Sequence, residues 1–110
     1  MEKQPYTNEQ LQEIRNGVID ALRTVYDPEI PVNIYDLGLI YAVELDDAGN
    51  VDVTMTLTSP MCPVAETLPL DVENRAQAVE GVGDVNVNLV WEPQWTMDMM
   101  SEDAKLELGF

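Results

Sequence analysis

Leu39-Ile40-Tyr41-Ala42-Val43-Glu44-Leu45-Asp46-Asp47-Ala48-Gly49-Asn50-Val51-Asp52-Val53-Thr54-Met55-Thr56-Leu57 is the stretch that decides the fold. Its second half alternates without a break. Val51, Val53, Met55 and Leu57 point one way, and Asp52, Thr54, Thr56 and Thr58 the other, which is the period of a half-buried strand. The first half, from about Leu39 to Leu45, places Leu39, Tyr41, Val43 and Leu45 on one face. Between them Asp46-Asp47-Ala48-Gly49-Asn50 is a turn, with a glycine where positive φ is expected. Two strands joined in this way make a hairpin with one apolar face and one wet face.

Upstream, Thr7 can cap a helix and Gln10 can close a capping box with it. Leu11, Ile14, Val18, Ala21, Leu22 and Val25 follow at helical spacing, weakened slightly by Gly17. Tyr26-Asp27-Pro28 ends this helix, because a residue before proline avoids the α region. From Asp27 to Gly38 two prolines and a glycine leave little room for a regular element. Downstream of the hairpin, after Ser59-Pro60-Met61-Cys62-Pro63, the spacing of Ala65, Leu68, Val72, Ala76 and Val79 predicts a second helix over about residues 64–80. Pro69 fits only an opening turn, so the regular part begins as late as Leu68. Gly81 is the C-cap candidate. Val85, Val87 and Leu89 alternate with Asn86 and Asn88 in a third strand. An extended tail through Trp91, Pro93 and Trp95 then leads to a short helix capped by Ser101.

The predicted order is helix–strand–strand–helix–strand with a short C-terminal helix. It gives an α/β (α+β) two-layer sandwich on a small three-stranded sheet. The crossover makes the third strand parallel to the second, and the sequence leaves open which strand it sits beside. No repeat or linker appears, so residues 1–110 are expected to form a single domain.

Composition excludes whole classes of chemistry. Of 110 residues, 45% are apolar, ordinary for a globular protein and too many for a disordered acidic tail. Five Lys+Arg against 21 Asp+Glu leave a net charge of −16. Phosphate backbones and anionic lipids would be repelled, so neither nucleic acid nor a membrane is expected as a partner. No apolar run approaches the ~20 residues that span a bilayer, and the opening MEKQPYTNEQ has no signal-peptide core. A soluble, cytoplasmic protein is expected. Lys3 and Lys105 are its only lysines; this balance suits a high-salt cytoplasm, and an acidic surface for a basic partner is the alternative. With no histidine, Ser-His-Asp and Cys-His catalysis and all imidazole metal ligation are removed. With one cysteine, intrachain disulfides and self-contained four-cysteine metal sites are removed too.

Cys62 stands between two prolines on the loop from a strand to a helix, a common ligand position in α/β sheets. Helix amides there would favour its thiolate, and Thr58 and Ser59 could donate hydrogen bonds to the sulfur or to a ligand. The bland alternative is a small buried hydrophobe. Asp27, Glu29 and Asp36 could reach the same end of the sheet, as supplementary ligands or as orienting groups; turn initiation and capping explain them equally. The bulky tail (Trp91, Trp95, Met97, Met99, Met100, Phe110) reads chiefly as cover for the sheet.

Three separated segments resemble one family. Asp27-Pro28-Glu29-Ile30-Pro31-Val32-Asn33-Ile34-Tyr35-Asp36-Leu37-Gly38-Leu39-Ile40 resembles the signature opening of the SufT/PaaD-type metal–sulfur cluster assembly factors. Thr58-Ser59-Pro60-Met61-Cys62-Pro63 resembles their cysteine loop. Val87 to Trp95 and Met100 to Leu106 are similar to the ending of the stand-alone members. No cysteine-rich extension and no P-loop ATPase domain accompanies them, so the stand-alone SufT-like branch is expected.

The resemblance implies a non-enzymatic role in maturing iron–sulfur proteins, as carrier or as adaptor, with Cys62 the functional thiol and Asp27 and Glu29 within the motif. Its implied partners are apo iron–sulfur proteins and other cluster assembly proteins. One thiolate cannot satisfy a cluster that takes four protein ligands. A transient Fe–S cluster on Cys62 would need completion by a second protomer, as in a homodimer, or by carboxylates, small thiols or the recipient. A thiol redox or sulfur-handling protein, and an interaction module with an inert cysteine, are the alternatives.

Overall fold

The computed structural model describes residues 5–27, 30–57 and 68–109. The elements run α1 (Asn8–Leu22), β1 (Ile40–Leu45), β2 (Val51–Met55), α2 (Leu68–Gln77), β3 (Val85–Leu89), a 3-10 turn (Met97–Met99) and α3 (Glu102–Leu108). The sheet order is β1-β2-β3. β2 is therefore central, antiparallel to β1 and parallel to β3, which supplies the neighbour that the sequence left open. The helix order and the crossover are as expected.

α1 and α3 begin where a side chain replaces a missing intrahelical partner. The Thr7 hydroxyl accepts from the Gln10 amide at 3.2 Å, and the Gln10 side chain accepts from the Thr7 amide at 2.8 Å. Ser101 accepts from the Ala104 amide at 3.1 Å to start α3. α1 stops at Leu22, earlier than the proline alone suggests. The amides of Thr24 and Val25 already bond three residues back, to Ala21 and Leu22, and an isolated bridge between Tyr26 and Asn33 pulls the chain into extended form. Val25 stays buried all the same, its carbonyl accepting from the Ile34 amide at 2.9 Å. α2 likewise ends at Gln77 instead of near residue 80, unwinding through a turn in which Val79 bonds back to Ala76. Residues 64–67 of the expected helix lie outside the described residues.

The core lies between the helices and one face of the sheet. Ile14, Val18 and Leu22 from α1 and Leu68, Val72 and Ala76 from α2 join Val43, Val51, Val53 and Met55. Gly17 is where α1 meets the turn that follows α2, since a Cβ there would lie 2.9 Å from Val79 Cγ1. What weakens α1 locally lets that turn seat against it.

Two strand expectations are corrected. The register steps from Ile40↔Met55 to Ala42↔Thr54, so Tyr41 is the extra residue of a β-bulge. Ile40, not Tyr41, therefore packs against the core with Val43 and Leu45. Thr56, expected on the wet face, is 1% exposed. Thr54 is half-buried and Asp52 exposed, so only the far end of that face is covered.

Candidate functional site

The carboxyl end of β2 is where three parts of the chain converge. Ile34 bonds to Val25, Leu39 to Ile34 at 3.1 Å, and the Thr56 amide to the Leu39 carbonyl at 2.9 Å. This relay lashes the irregular Asp27–Gly38 segment to the end of the central strand, from which the chain continues toward Cys62. Among its described residues the segment forms no regular element, yet Val32, Ile34 and Leu37, with Leu39 just after it, are each at most 1% exposed.

Its polar residues explain how. Asp27 is buried, 5% exposed, and its Oδ1 accepts from the Ile30 amide at 3.0 Å. The Asp27 amide in turn reaches the Val32 carbonyl at 3.3 Å. The Asn33 side chain both donates to Asp36 Oδ2 at 2.8 Å and accepts from the Asp36 amide at 2.9 Å. These are local side-chain substitutes for a backbone ladder. Asp27 and Asp36 thus both lie in the segment that meets the end of β2, and both hold its turns. Glu29, Thr58, Ser59 and Cys62 lie outside the described residues.

The tail closes the other side. The Trp95 Nε1–H donates to the Leu37 carbonyl at 2.7 Å, and the Ser101 amide to the Asp36 carbonyl at 2.8 Å. Gly38, at φ +83, lies so close to Met99 that a Cβ would collide with the Met99 carbonyl. The Asp36-Leu37-Gly38 triplet is therefore the seat of the tail, a job the sequence did not disclose. The bulge aims the Tyr41 phenol into the same junction, donating to the Pro93 carbonyl at 2.7 Å with Met99 Sδ at 3.6 Å. Burial raises the Tyr41 pKa, and the nearby Thr56 hydroxyl opposes that rise. Thr56 Oγ1 itself makes no hydrogen bond of good geometry among the described residues: it lies near the phenol without being aligned to it. A buried hydroxyl left this way is costly. Strict alternation hid both Tyr41 and Thr56; only the bulge and the tail's path set them apart.

Among the described residues no three Cys, Asp or Glu side chains gather as a metal site, and no helix is long and apolar enough to cross a membrane. Among the described residues Asp27 and Asp36 are the carboxylates of this segment, and each serves its turn.

Known proteins match this arrangement closely. The family model described as "Iron-sulfur cluster assembly protein" matches residues 15–89. The chain is similar to the "Fe-S protein maturation auxiliary factor" of Porphyromonas gingivalis, 52% identical over 94% of this chain and 98% of that protein. It is also similar to the "Fe-S protein maturation auxiliary factor SufT" of Staphylococcus aureus, 45% identical over 77% of this chain and 97% of that one. The fold superposes on a domain of unknown function from Bacillus anthracis with a TM-score of 0.86, 37% identity, and coverage of 94% and 99%. With a signature segment, a central strand leading to a single cysteine and a tail locked to that segment, the chain belongs to the iron–sulfur cluster assembly protein family.

Proposed function

We propose that this protein is a maturation factor for iron–sulfur proteins and acts without catalysing a reaction of its own. The cluster is its cargo. The observation that carries this reading is the pairing of a family signature with one thiol and no imidazole. A chain so poor in ligands can offer a cluster one Cys62 thiolate and must leave the remaining iron positions to others. A second protomer, a small thiol or the recipient apo-protein completes the set, and that incompleteness favours release. The net charge of −16 acts in the same direction, because clusters ligated by thiolates are themselves anionic.

Within this reading Thr58 and Ser59 donate hydrogen bonds toward the sulfur, which steadies a thiolate. Asp27 and Asp36 act as positioning residues, since their carboxylates accept from the Ile30 amide and the Asn33 side chain respectively. Glu29 belongs to the same loop. Partners are apo-proteins awaiting clusters and the machinery that builds them. The acidic surface suits a high-salt cytoplasm, where screening relieves its self-repulsion.

The deciding experiment is anaerobic reconstitution with iron and sulfide, followed by absorption and Mössbauer spectra on wild type and Cys62→Ser, in low and molar salt. Visible cluster bands are expected in wild type and absent in Cys62→Ser. If folded wild type takes up no cluster at either salt, the carrier role falls and an adaptor that never touches iron replaces it. An iron-independent change at Cys62, such as a persulfide seen by mass spectrometry, would favour sulfur handling instead.

A further inference from the structure

The two edges of the sheet are finished differently. β1 and β3 each lie at an edge, because β2 is central. The β1 edge is guarded twice: Tyr41 interrupts it as a bulge, and Arg15 of α1 donates from Nη1 to the Val43 carbonyl at 2.7 Å. Helices pack about 8–10 Å apart and strands about 4.8 Å apart, so an α1 that reaches over β1 leaves β3 thinly covered. Val43 is 4% exposed, whereas Val85, Val87 and Leu89 are each only partly buried. The ladder between β2 and β3 is bracketed by the Val51 amide on the Asp84 carbonyl and the Val90 amide on the Met55 carbonyl, both at 2.8 Å. Alternate residues of a strand face one neighbour, so Asn86 and Asn88 bond toward β2 and Val85, Val87 and Leu89 turn their amides and carbonyls outward. Among the described residues no bulge, proline or charged side chain guards Val85–Leu89. β1 and β2 carry Glu44 and Asp52, and β3 carries no acid.

We propose that β3 pairs antiparallel with β3 of a second copy, about a two-fold axis through Val87, joining two three-stranded sheets into one continuous sheet. The strand's own sequence selects that occupant. Val85-Asn86-Val87-Asn88-Leu89 reads apolar–Asn–Val–Asn–apolar in both directions, and a two-fold interface needs a self-complementary patch. Centred on Val87, the register sets Val87 against Val87, Val85 against Leu89 and Asn86 against Asn88. The outward amides and carbonyls are then the ones that meet. The half-covered valines and leucine continue one apolar layer from copy to copy. Charge narrows the choice further: at −16 most surfaces of this chain repel their own copy, and this strand sets no acid opposite another. In such a pair the two β2 strands run in opposite directions, so their carboxyl ends lie at opposite ends of the joined sheet. This goes beyond cluster handling and stands whether or not Cys62 ever holds iron.

The test is sedimentation velocity on the full chain, without iron, over a concentration series in low and molar salt. A dimer is expected, tighter in molar salt, where repulsion between two acidic chains is screened. Amide hydrogen exchange by NMR locates it: Val85, Val87 and Leu89 should gain protection as the dimer forms, while Val51, already bonded within the sheet, should not. Asn86→Lys with Asn88→Lys changes only exposed side chains, so the fold persists. It sets lysines opposite each other across the junction and should weaken dimerisation about tenfold in low salt. Because it also lowers the net negative charge, which alone would favour association, that weakening is specific to the edge. Val87→Pro removes one outward amide, a change that edge strands tolerate, and should leave a folded monomer. A chain that stays monomeric at millimolar concentration in both salts, newly protected amides that lie outside β3, or unchanged association in the double-lysine variant would each overturn the proposal. Cluster reconstitution is read separately, so either result can fail without the other.

Discussion

The β1–β2 hairpin and the Tyr26–Leu39 segment bury apolar side chains equally well by opposite means. In the hairpin, Val51, Val53 and Met55 are at most 1% exposed, and a regular ladder pairs the backbone behind them. In the segment, Val32, Ile34, Leu37 and Leu39 are just as deep, but the backbone is held by isolated turn and bridge bonds, with Asp27 and Asn33 accepting from the Ile30 and Asp36 amides. A ladder spreads its loss over many equivalent bonds. A segment held by isolated, inequivalent bonds concentrates it. The second strategy lets an irregular chain reach the end of β2, and the cost is sensitivity to single substitutions.

Gly38→Ala should break that comparison most severely. The position combines positive φ with contact against the Met99 carbonyl, so both backbone strain and overpacking oppose a methyl group. A loss of about 3 kcal/mol is expected by denaturant unfolding. Hydrogen exchange should show where it falls: amides from Trp95 to Lys105 open first, and those of β2 keep their protection. If β2 opens with them, the segment and the sheet are one cooperative unit and the contrast drawn above fails.

Two asparagines sharpen it. Asn33 bridges Asp36 twice in a half-buried setting, whereas Asn86 reaches Asp52 and Asn88 at 3.2 Å on the exposed face of the sheet. Asn33→Ala should cost about 2 kcal/mol, and Asn86→Ala should stay within about 0.5 kcal/mol, because solvent replaces what the exposed amide loses. Equal effects would mean that the segment's hydrogen bonds are no more concentrated than those of the sheet.

The same contrast explains what the sequence made legible. Alternation from Val51 to Leu57 and the capping box at Thr7 are short-range patterns, and each gave its element within a few residues. The family signature was readable because its residues are contiguous. The bulge at Tyr41 was not, since one extra residue leaves the apolar pattern of Leu39 to Leu45 looking regular while setting Ile40, not Tyr41, against the core. The docking of Trp95 on Leu37 depends on a contact across about half the chain, which no local pattern encodes, and the burial of Thr56 breaks the alternation that the pattern predicts. Val25 is the intermediate case: its burial was legible from helical spacing, but it is buried just beyond the helix, by the extended pairing of Val25 with Ile34.

The smallest effect sits at the hairpin's own turn, the one place where the ladder relies on a side chain. Asp46 accepts from the Ala48 amide at 2.9 Å, the Asn50 amide at 3.0 Å and the Asn50 side chain at 2.9 Å. The Asn50 side chain first, then the Asn50 and Ala48 amides, hold its carboxyl below its ordinary value of 3.8 against a small opposing desolvation. A carboxylate whose pKa is lower folded than unfolded stabilises the fold above the unfolded value, and the gain is lost as pH falls through the folded one. The Ala48 and Asn50 amide shifts should therefore titrate together with a midpoint below 3.8, and β1–β2 pairing should survive the transition. Asp46→Asn, which keeps acceptor geometry without the charge, should abolish the titration and leave the ladder in place. Collapse of the pairing at that midpoint would show that the turn, not the ladder, holds the hairpin, and the distinction between the two regions would reduce to where their side-chain caps lie.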